Sequence, residues 1–474
     1  MLRHEKLELT FANKFYRYSY PYSIPPEEIV VIRGELTKEI ALMASKSSQA
    51  YSHPATDEKV ELILINISGP DRQGVTSAIT GILAKYNAVL LDIGQADIHH
   101  TLALGMLFKT DSRQSGEILK QILFKTNDLN VKVQFQIVSE EDYARWVGMQ
   151  GKNRYIITLL GRRITAQMVS EVSRVISEQG LNIDAISRLT GRMPLNEAEQ
   201  PRAKGCIEIS VRGTPHSKES MQAEFMRLAG ELNFDISLQE DNMYRRSRRL
   251  ICFDMDSTLI RTEVIDELAD RAGVGDEVRA ITESAMRGEI DFIESFRRRV
   301  KLLKGLNVSV MKEIAENLPI TEGVQRMMEV LKRSGYKTAI LSGGFTYFGN
   351  YLKGRYGFDY VYANDLEIGP DGCLTGEVQG DIVDGKRKRE LLRLLAQVEN
   401  IDIAQTIAVG DGANDLPMLS EAGLGIAFHA KPKVKASAEQ SISTIGIDGV
   451  LYFLGFKDSY MADSKDPEVP EIPA

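Results

Sequence analysis

Leu250-Ile251-Cys252-Phe253 is a run of four apolar residues that ends in the acidic segment Asp254-Met255-Asp256-Ser257-Thr258. A strand that is apolar on both faces has to be covered on both, so it belongs in the buried parallel sheet of an α/β domain, between layers of helix. The pattern recurs. Thr338-Ala339-Ile340-Leu341 ends at Ser342-Gly343-Gly344, and Thr406-Ile407-Ala408-Val409 ends at Gly410-Asp411-Gly412-Ala413-Asn414-Asp415. Open parallel sheets gather their ligands at the carboxyl ends of their strands, which is where each polar cluster falls.

The residue types in these clusters suit phosphate chemistry. A spacing of two sets the carboxylates of Asp254 and Asp256 on one side of the strand end. A carboxylate is repelled by a phosphate dianion and approaches it only with a cation between them. Mg²⁺ is the natural cation, since it takes oxygen ligands and commonly uses one or two carboxylates together with phosphate oxygens. Asp254 is then the expected nucleophile and Asp256 the expected general acid and base. The Ser342 hydroxyl and the backbone amides beside it are suited to cradle phosphate oxygens. Asp411 is suited to supply the remaining side-chain ligand to the metal. The basic helix start Lys386-Arg387-Lys388-Arg389-Glu390-Leu391-Leu392 could lend an ammonium. Alone, Asp-Met-Asp-Ser-Thr also reads as a polar turn; the other three segments, in this order, argue against that.

This order of motifs resembles the haloacid dehalogenase superfamily, and the likeness extends to the branch that acts on phosphoserine. It runs from Arg249 to about Phe456 and includes all four family motifs. It implies a Rossmann-like parallel sheet with a small helical cap. It also implies an aspartyl-phosphate on Asp254, acid/base work by Asp256, and Mg²⁺ on Asp254, the backbone carbonyl of Asp256, and Asp411. Phosphate contacts fall on Ser342, Gly343 and Lys388. Lys386 is the nearby rival, but Lys388-Arg389-Glu390-Leu391-Leu392 matches the family's Lys-x-Asp/Glu-aliphatic-Leu more closely.

The resemblance also assigns the substrate pocket. Glu263, at the start of a mainly helical insertion over about 263–320, would take the ammonium, and Arg299 the carboxylate through a two-pronged contact. Phe292, seven residues before Arg299 and on the same helical face, would shield the pocket. Asn414 is a further substrate-binding position. Without the resemblance, Glu263 reads equally as a first-turn helix acid and Arg297–Arg299 as a solvated face. The implied reaction is hydrolysis of O-phospho-L-serine to L-serine and phosphate, in L-serine biosynthesis. The alternatives are a phosphatase for another small phosphate ester, or an amino-acid sensor with a vestigial phosphatase domain.

Ahead of this domain, a strand-helix-strand-strand-helix-strand order occurs twice, over 58–140 and 153–241, as an internal α+β repeat of the ferredoxin-like kind. The two units resemble ACT domains, regulatory folds that often bind amino acids between copies. The resemblance places a ligand-binding turn at Gly69-Pro70-Asp71-Arg72-Gln73-Gly74-Val75, with Gly69, Asp71 and Gly74 as candidate contacts. It implies an L-serine effector and a homodimer. The corresponding stretch of the second copy, Leu160-Gly161-Arg162-Arg163-Ile164-Thr165, lacks the Pro-Asp pair, which argues against an equivalent second site. His99 and His100 fall near a strand end, where adjacent residues point to opposite faces.

A chain of 474 residues with 43% hydrophobic and 26% charged residues suits several globular domains. The net charge of −8, spread along the chain, makes nucleic acid a poor partner. No apolar run is long enough to cross a bilayer and the first residues lack a signal peptide's apolar core, so a cytoplasmic location is expected. Cys206, Cys252 and Cys373 are scattered singly and fit neither a disulfide framework nor a zinc site. Residues 1–57 form an extension of no clear period. The phosphatase-like domain is expected over 249–457 and a disordered tail over 459–474. Arg245-Arg246-Ser247-Arg248-Arg249 reads as a solvated linker at a domain boundary, with anion binding the lesser alternative.

Overall fold

The computed structural model describes residues 60–148, 153–192 and 203–461. The expected extension over 1–57 lies outside them. The chain divides into two compact units, meeting at residues 150 and 151. In the first unit the order is β1 Val60–Pro70, α1 Val75–Lys85, β2 Val89–Ile98, β3 Thr101–Asp111, α2 Ser112–Asp128, β4 Lys132–Val138 and α3 Glu140–Val147. The strands form an antiparallel sheet in the order β2-β3-β1-β4. Alternation drives it: Ile63, Ile65 and Ile67 are buried under α1 and α2, while Asn66 and Ser68 on either side of Ile67 are exposed. His99 and His100 belong to the two-residue turn between β2 and β3, both left-handed (φ 51° and 60°), rather than to a strand. That backbone matches the twist of the flanking strands.

The second unit opens with the other copy: β5 Arg154–Gly161, α4 Ala166–Glu178, β6 Asn182–Arg188, β7 Gly205–Arg212, α5 Lys218–Leu232 and β8 Asp235–Glu240. Its sheet order, β6-β7-β5-β8, repeats that of the first unit strand for strand. A short helix, α6 Met243–Arg246, leads into β9 Leu250–Phe253. Four helices follow, α7 Val264–Ala272, α8 Gly275–Met286, α9 Phe292–Leu302 and α10 Ser309–Glu316, which form the expected cap. Its two connections are tied together where Ile260 pairs with Ile320 and the Arg261 N–H donates to the Pro319 carbonyl (2.8 Å).

The chain then runs through α11 Val324–Arg333, β10 Lys337–Phe345, α12 Thr346–Tyr356, β11 Tyr360–Ile368, β12 Leu374–Gln379, α13 Gly385–Val398, β13 Thr406–Gly410 and α14 Leu416–Glu421. It ends with β14 Leu424–Phe428, α15 Pro432–Ser437, β15 Gln440–Ile442, α16 Gly449–Phe453 and α17 Asp458–Met461. The sheet order is β12-β11-β10-β9-β13-β14-β15, parallel except for the β11–β12 pair. All four residues of β9, at the centre, have no exposed surface. Among the described residues no helix is long and apolar enough to cross a membrane.

Two expectations need correction. Of the tail placed at 459–474, Ser459 to Met461 lie in α17 and Met461 is buried in the core, and the rest lies outside the described residues. The basic run lies between β8 and β9 but is not solvated throughout. Arg245 pairs with Glu208 (2.8 Å) with its side chain 8% exposed, and Arg248 is 5% exposed. The stems of Arg245 and Arg248 are covered, while Arg246 and Arg249 are exposed.

Candidate active site

The central strand delivers the two leading carboxylates. The Asp254 N–H donates to the Val409 carbonyl (2.8 Å), which locks the end of β9 to β13. Asp254 Oδ1 accepts from the Met255 N–H (2.8 Å). Ser257 is left-handed (φ 57°) and turns the chain back on itself. That reversal brings the N-terminus of α7 to Asp256, whose Oδ1 accepts from the Val264 N–H (3.0 Å). Anions are stabilised at such helix starts. Asp254 and Asp256 are 5% and 8% exposed.

Lys388 stands one turn inside α13, where Asp384 caps the helix by accepting from the Arg387 N–H (2.8 Å). Its ammonium is fully buried and donates to Asp254 Oδ1 and Asp415 Oδ1, each at 2.7 Å. Lys386 is 75% exposed and stands 4.0 Å from Glu390, so of the two lysines Lys388 is the one at the site. Asp415 is fully buried, and its second oxygen accepts from the Gly412 N–H (2.9 Å). Sequence reasoning quoted Asp415 without assigning it. The available signal was a second acid four residues after Asp411 at the same strand end.

Oxygens of Asp254, Asp411 and Asp415 lie within 4.8 Å of one another, close enough to share a cation. The third side chain in this cluster is thus Asp415, whereas Asp256 was expected to contribute through its backbone. Burial, followed by repulsion from Asp415, pushes the Asp254 carboxyl well above the usual range, against the pull of Lys388. Burial and then Glu263 raise Asp256. Burial, Asp415 and Glu263 push Asp411 up to about 7. Burial disfavours the Lys388 ammonium, but Asp254 and Asp415 outweigh it and the net shift is upward. Carboxylates so crowded fit a divalent cation that takes oxygen ligands.

At the end of β10, Ser342 is fully buried and its Oγ accepts from the Gly344 N–H (2.9 Å). A β-carbon at Gly344 would collide with the Asp256 carboxylate, so the loop passes where only glycine fits. A second residue that sequence reasoning missed is Asn364, 2% exposed on β11. Its Nδ2 donates to the carbonyls of Gly343 (2.9 Å) and Gly344 (3.2 Å), and its Oδ1 accepts from the Val383 N–H (2.8 Å). A polar residue inside a strand pattern was its only trace.

The cap residues face the same end of the sheet. Glu263 accepts from the Ser257 hydroxyl (2.9 Å). Phe292 stacks on Phe296 with centroids 6.1 Å apart, and a β-carbon at Gly343 would stand 3.1 Å from the Phe292 ring. Arg299 is half-buried, feels the charges of Glu263, Asp266 and Asp256, and keeps a buried Nε without a hydrogen-bond partner. Arg297 and Arg298 are exposed. Asn414 lies half-buried in the turn after β13, its backbone carbonyl against Gly385.

In the first unit, Asp71 and Gly74 line a cavity of about 380 Å³ together with Thr76, Ser77 and Gln95. Gly74 is left-handed (φ 90°) at the start of α1. Gly69 is not among the lining residues and packs on Val131. The corresponding turn of the second copy is occupied differently. Arg162 pairs with Glu322 (2.7 Å) and donates to the Thr444 carbonyl (3.1 Å), and Leu160 is buried in the core of the parallel-sheet domain.

Residues 248–423 match the haloacid dehalogenase-like hydrolase family, and residues 61–136 and 154–239 each match an ACT domain family. The chain is 37% identical to a phosphoserine phosphatase of Streptomyces coelicolor over 84% of its own length and 92% of the relative's. It is 37% identical to phosphoserine phosphatase SerB2 of Mycobacterium tuberculosis over 87% and 98% of the two lengths. A crystal structure of a probable phosphoserine phosphatase from Vibrio cholerae, 33% identical, superposes with a TM-score of 0.50 over 65% of this chain and 87% of that one.

Proposed function

The chain belongs to the phosphoserine phosphatase family of haloacid dehalogenase-like hydrolases, and on that premise we propose that Asp254 is the group that attacks phosphorus. The reaction is hydrolysis of O-phospho-L-serine to L-serine and phosphate through a phospho-aspartyl intermediate. The observation that carries the assignment is the clamp on Asp254. Lys388 and the Met255 N–H both hold Oδ1, which leaves Oδ2 to attack. The residues fit Mg²⁺, with Asp254, Asp411, Asp415 and the Asp256 backbone carbonyl as its holders. It would supply positive charge to offset the repulsion between phosphate and carboxylate.

Asp256, fixed by the start of α7, gives a proton to the departing seryl oxygen and later takes one from the water that cleaves the aspartyl-phosphate. Ser342, the Gly343 amide and Lys388 hold the phosphoryl oxygens, and Asn364 keeps that loop in place. Glu263 receives the substrate ammonium, Arg299 its carboxylate, and Phe292 and Asn414 close the pocket. Arg299→Ala tests the specificity half of this reading. KM for phosphoserine is expected to rise roughly tenfold to a hundredfold, as for loss of one charge-assisted contact. Hydrolysis of p-nitrophenyl phosphate, which has no carboxylate, should hardly change. An unaltered preference between the two substrates would remove Arg299 from the pocket.

We further infer that the cavity at Asp71–Ser77 takes L-serine as an effector and that the chain acts as a cytoplasmic homodimer. Support comes from the ACT domain matches and from a cavity at the predicted turn whose lining includes Asp71, Thr76, Ser77 and Gln95.

A further inference from the structure

Arg248 carries a charge that the catalytic account leaves unused. It is 5% exposed, and its guanidinium donates only to neutral acceptors, Gln239 Oε1 (2.8 Å) and the Gly423 carbonyl (3.4 Å). Its Nε is buried without a partner. The strongest charge acting on it is another cation, Arg245, whose own carboxylate is Glu208. Among the described residues no carboxylate pairs with Arg248. A buried cation is costly unless an anion compensates it.

A cavity with polar lining lies beside it. Arg248 lines a cavity of about 220 Å³ at the junction of β8 in the second ACT domain with β14 and β15 of the catalytic sheet. That is many times the roughly 10–15 Å³ needed to hold one water. Lys218, Asn242 and Tyr244 add polar lining, and of the two carboxylates that also line it, Glu240 and Glu439, Glu240 is paired with Lys218 (3.0 Å). Two of the five guanidinium N–H donors are used, and the planar fork matches a carboxylate or phosphate edge.

We propose that this junction cavity binds a small oxyanion, a carboxylate or a phosphate, on Arg248. The ligand sits between Gln239 of the second ACT domain and Gly423 of the catalytic domain and so ties the two together. The competing explanation is that Arg248 only bridges those two acceptors. Both explanations predict that its loss weakens the junction, but only the site predicts binding that depends on Arg248.

The experiment uses the full chain, titrated in a calorimeter with inorganic phosphate and, separately, with L-serine, since either reaction product carries the required group. Ser342→Ala and Arg299→Ala weaken the active-site contribution to the phosphate and serine titrations respectively. With at least one of the two probes, a binding event is expected to survive in those variants and to weaken at least about tenfold in Arg248→Gln. The probe that shows it identifies the source. If Arg248→Gln binds both probes with the stoichiometry and affinity of the unmodified chain, the proposal is overturned. If Arg248→Gln does not fold, the unmodified chain is crystallised with selenate. An anomalous peak in the cavity supports the site, and an empty cavity beside a selenate-filled active site overturns it.

Discussion

Asp254 and Asp415 meet at the ammonium of Lys388, which holds each at 2.7 Å with no exposed surface of its own. Replacing Lys388 by methionine keeps the stem and removes the charge, leaving two buried carboxylates without their cation. Metal-free protein is expected to lose about 3–5 kcal/mol of stability, as when one partner of a buried pair is removed. Denaturant titration measures this, and added Mg²⁺ should recover part of the loss. A loss below about 1 kcal/mol would mean that the pair is not formed in solution. At this scale the sequence was informative where the chemistry is local. Asp254, Asp256 and Asp411 all stand at the first turn after an apolar strand. Asp415 was overlooked because its role depends on reaching Lys388 across the fold, and their 27-residue separation leaves no periodic trace. Arg248 was misjudged for a related reason, since a run of arginines gives no sign of which stem will be covered.

The elements themselves were legible, because short apolar runs ending in glycine or aspartate specify parallel strands and alternation specifies the antiparallel ones. The ends of elements were less so. α2 begins at Ser112 because Asp111 caps it by accepting from the Arg113 N–H (2.9 Å), a local contact that apolar periodicity does not mark. What orders the phosphate loop was not legible, since it comes from the neighbouring strand. β10 and β11 lose regular pairing between Leu341 and Phe345, and Asn364 fills the gap with bonds to two loop carbonyls. Asn364→Ala leaves those carbonyls and the Val383 N–H without their partner. It is expected to cost about 1–3 kcal/mol and to lower kcat more than it changes KM, read from denaturation and steady-state kinetics. A variant with full kcat would show that the loop holds its shape without β11.

In the whole molecule, one fold occurs twice in different surroundings. Both ACT domains share a sheet order, yet the ligand-type turn of the second is taken up by the Arg162–Glu322 pair and by Leu160 in the catalytic core. The missing Pro-Asp pair signalled a difference, but not that the turn packs against the catalytic domain. Asp235 adds to the same seam, accepting from the Ser443 and Thr444 N–H groups at 2.7 and 3.0 Å. L-serine is therefore expected to bind calorimetrically at the first domain's turn, with that event lost in Asp71→Ala and retained in Arg162→Ala. An isotherm unchanged by Asp71→Ala would exclude that turn. The central claim, that Asp254 carries the phosphoryl group between substrate and water, has a direct test. Full-length protein is mixed with Mg²⁺ and phosphoserine, quenched in acid within one turnover, digested and analysed by mass spectrometry. A phosphoryl adduct should appear on the peptide carrying Asp254 and vanish in Asp254→Asn, whereas an adduct on another residue, or turnover with no adduct at all, would contradict the account.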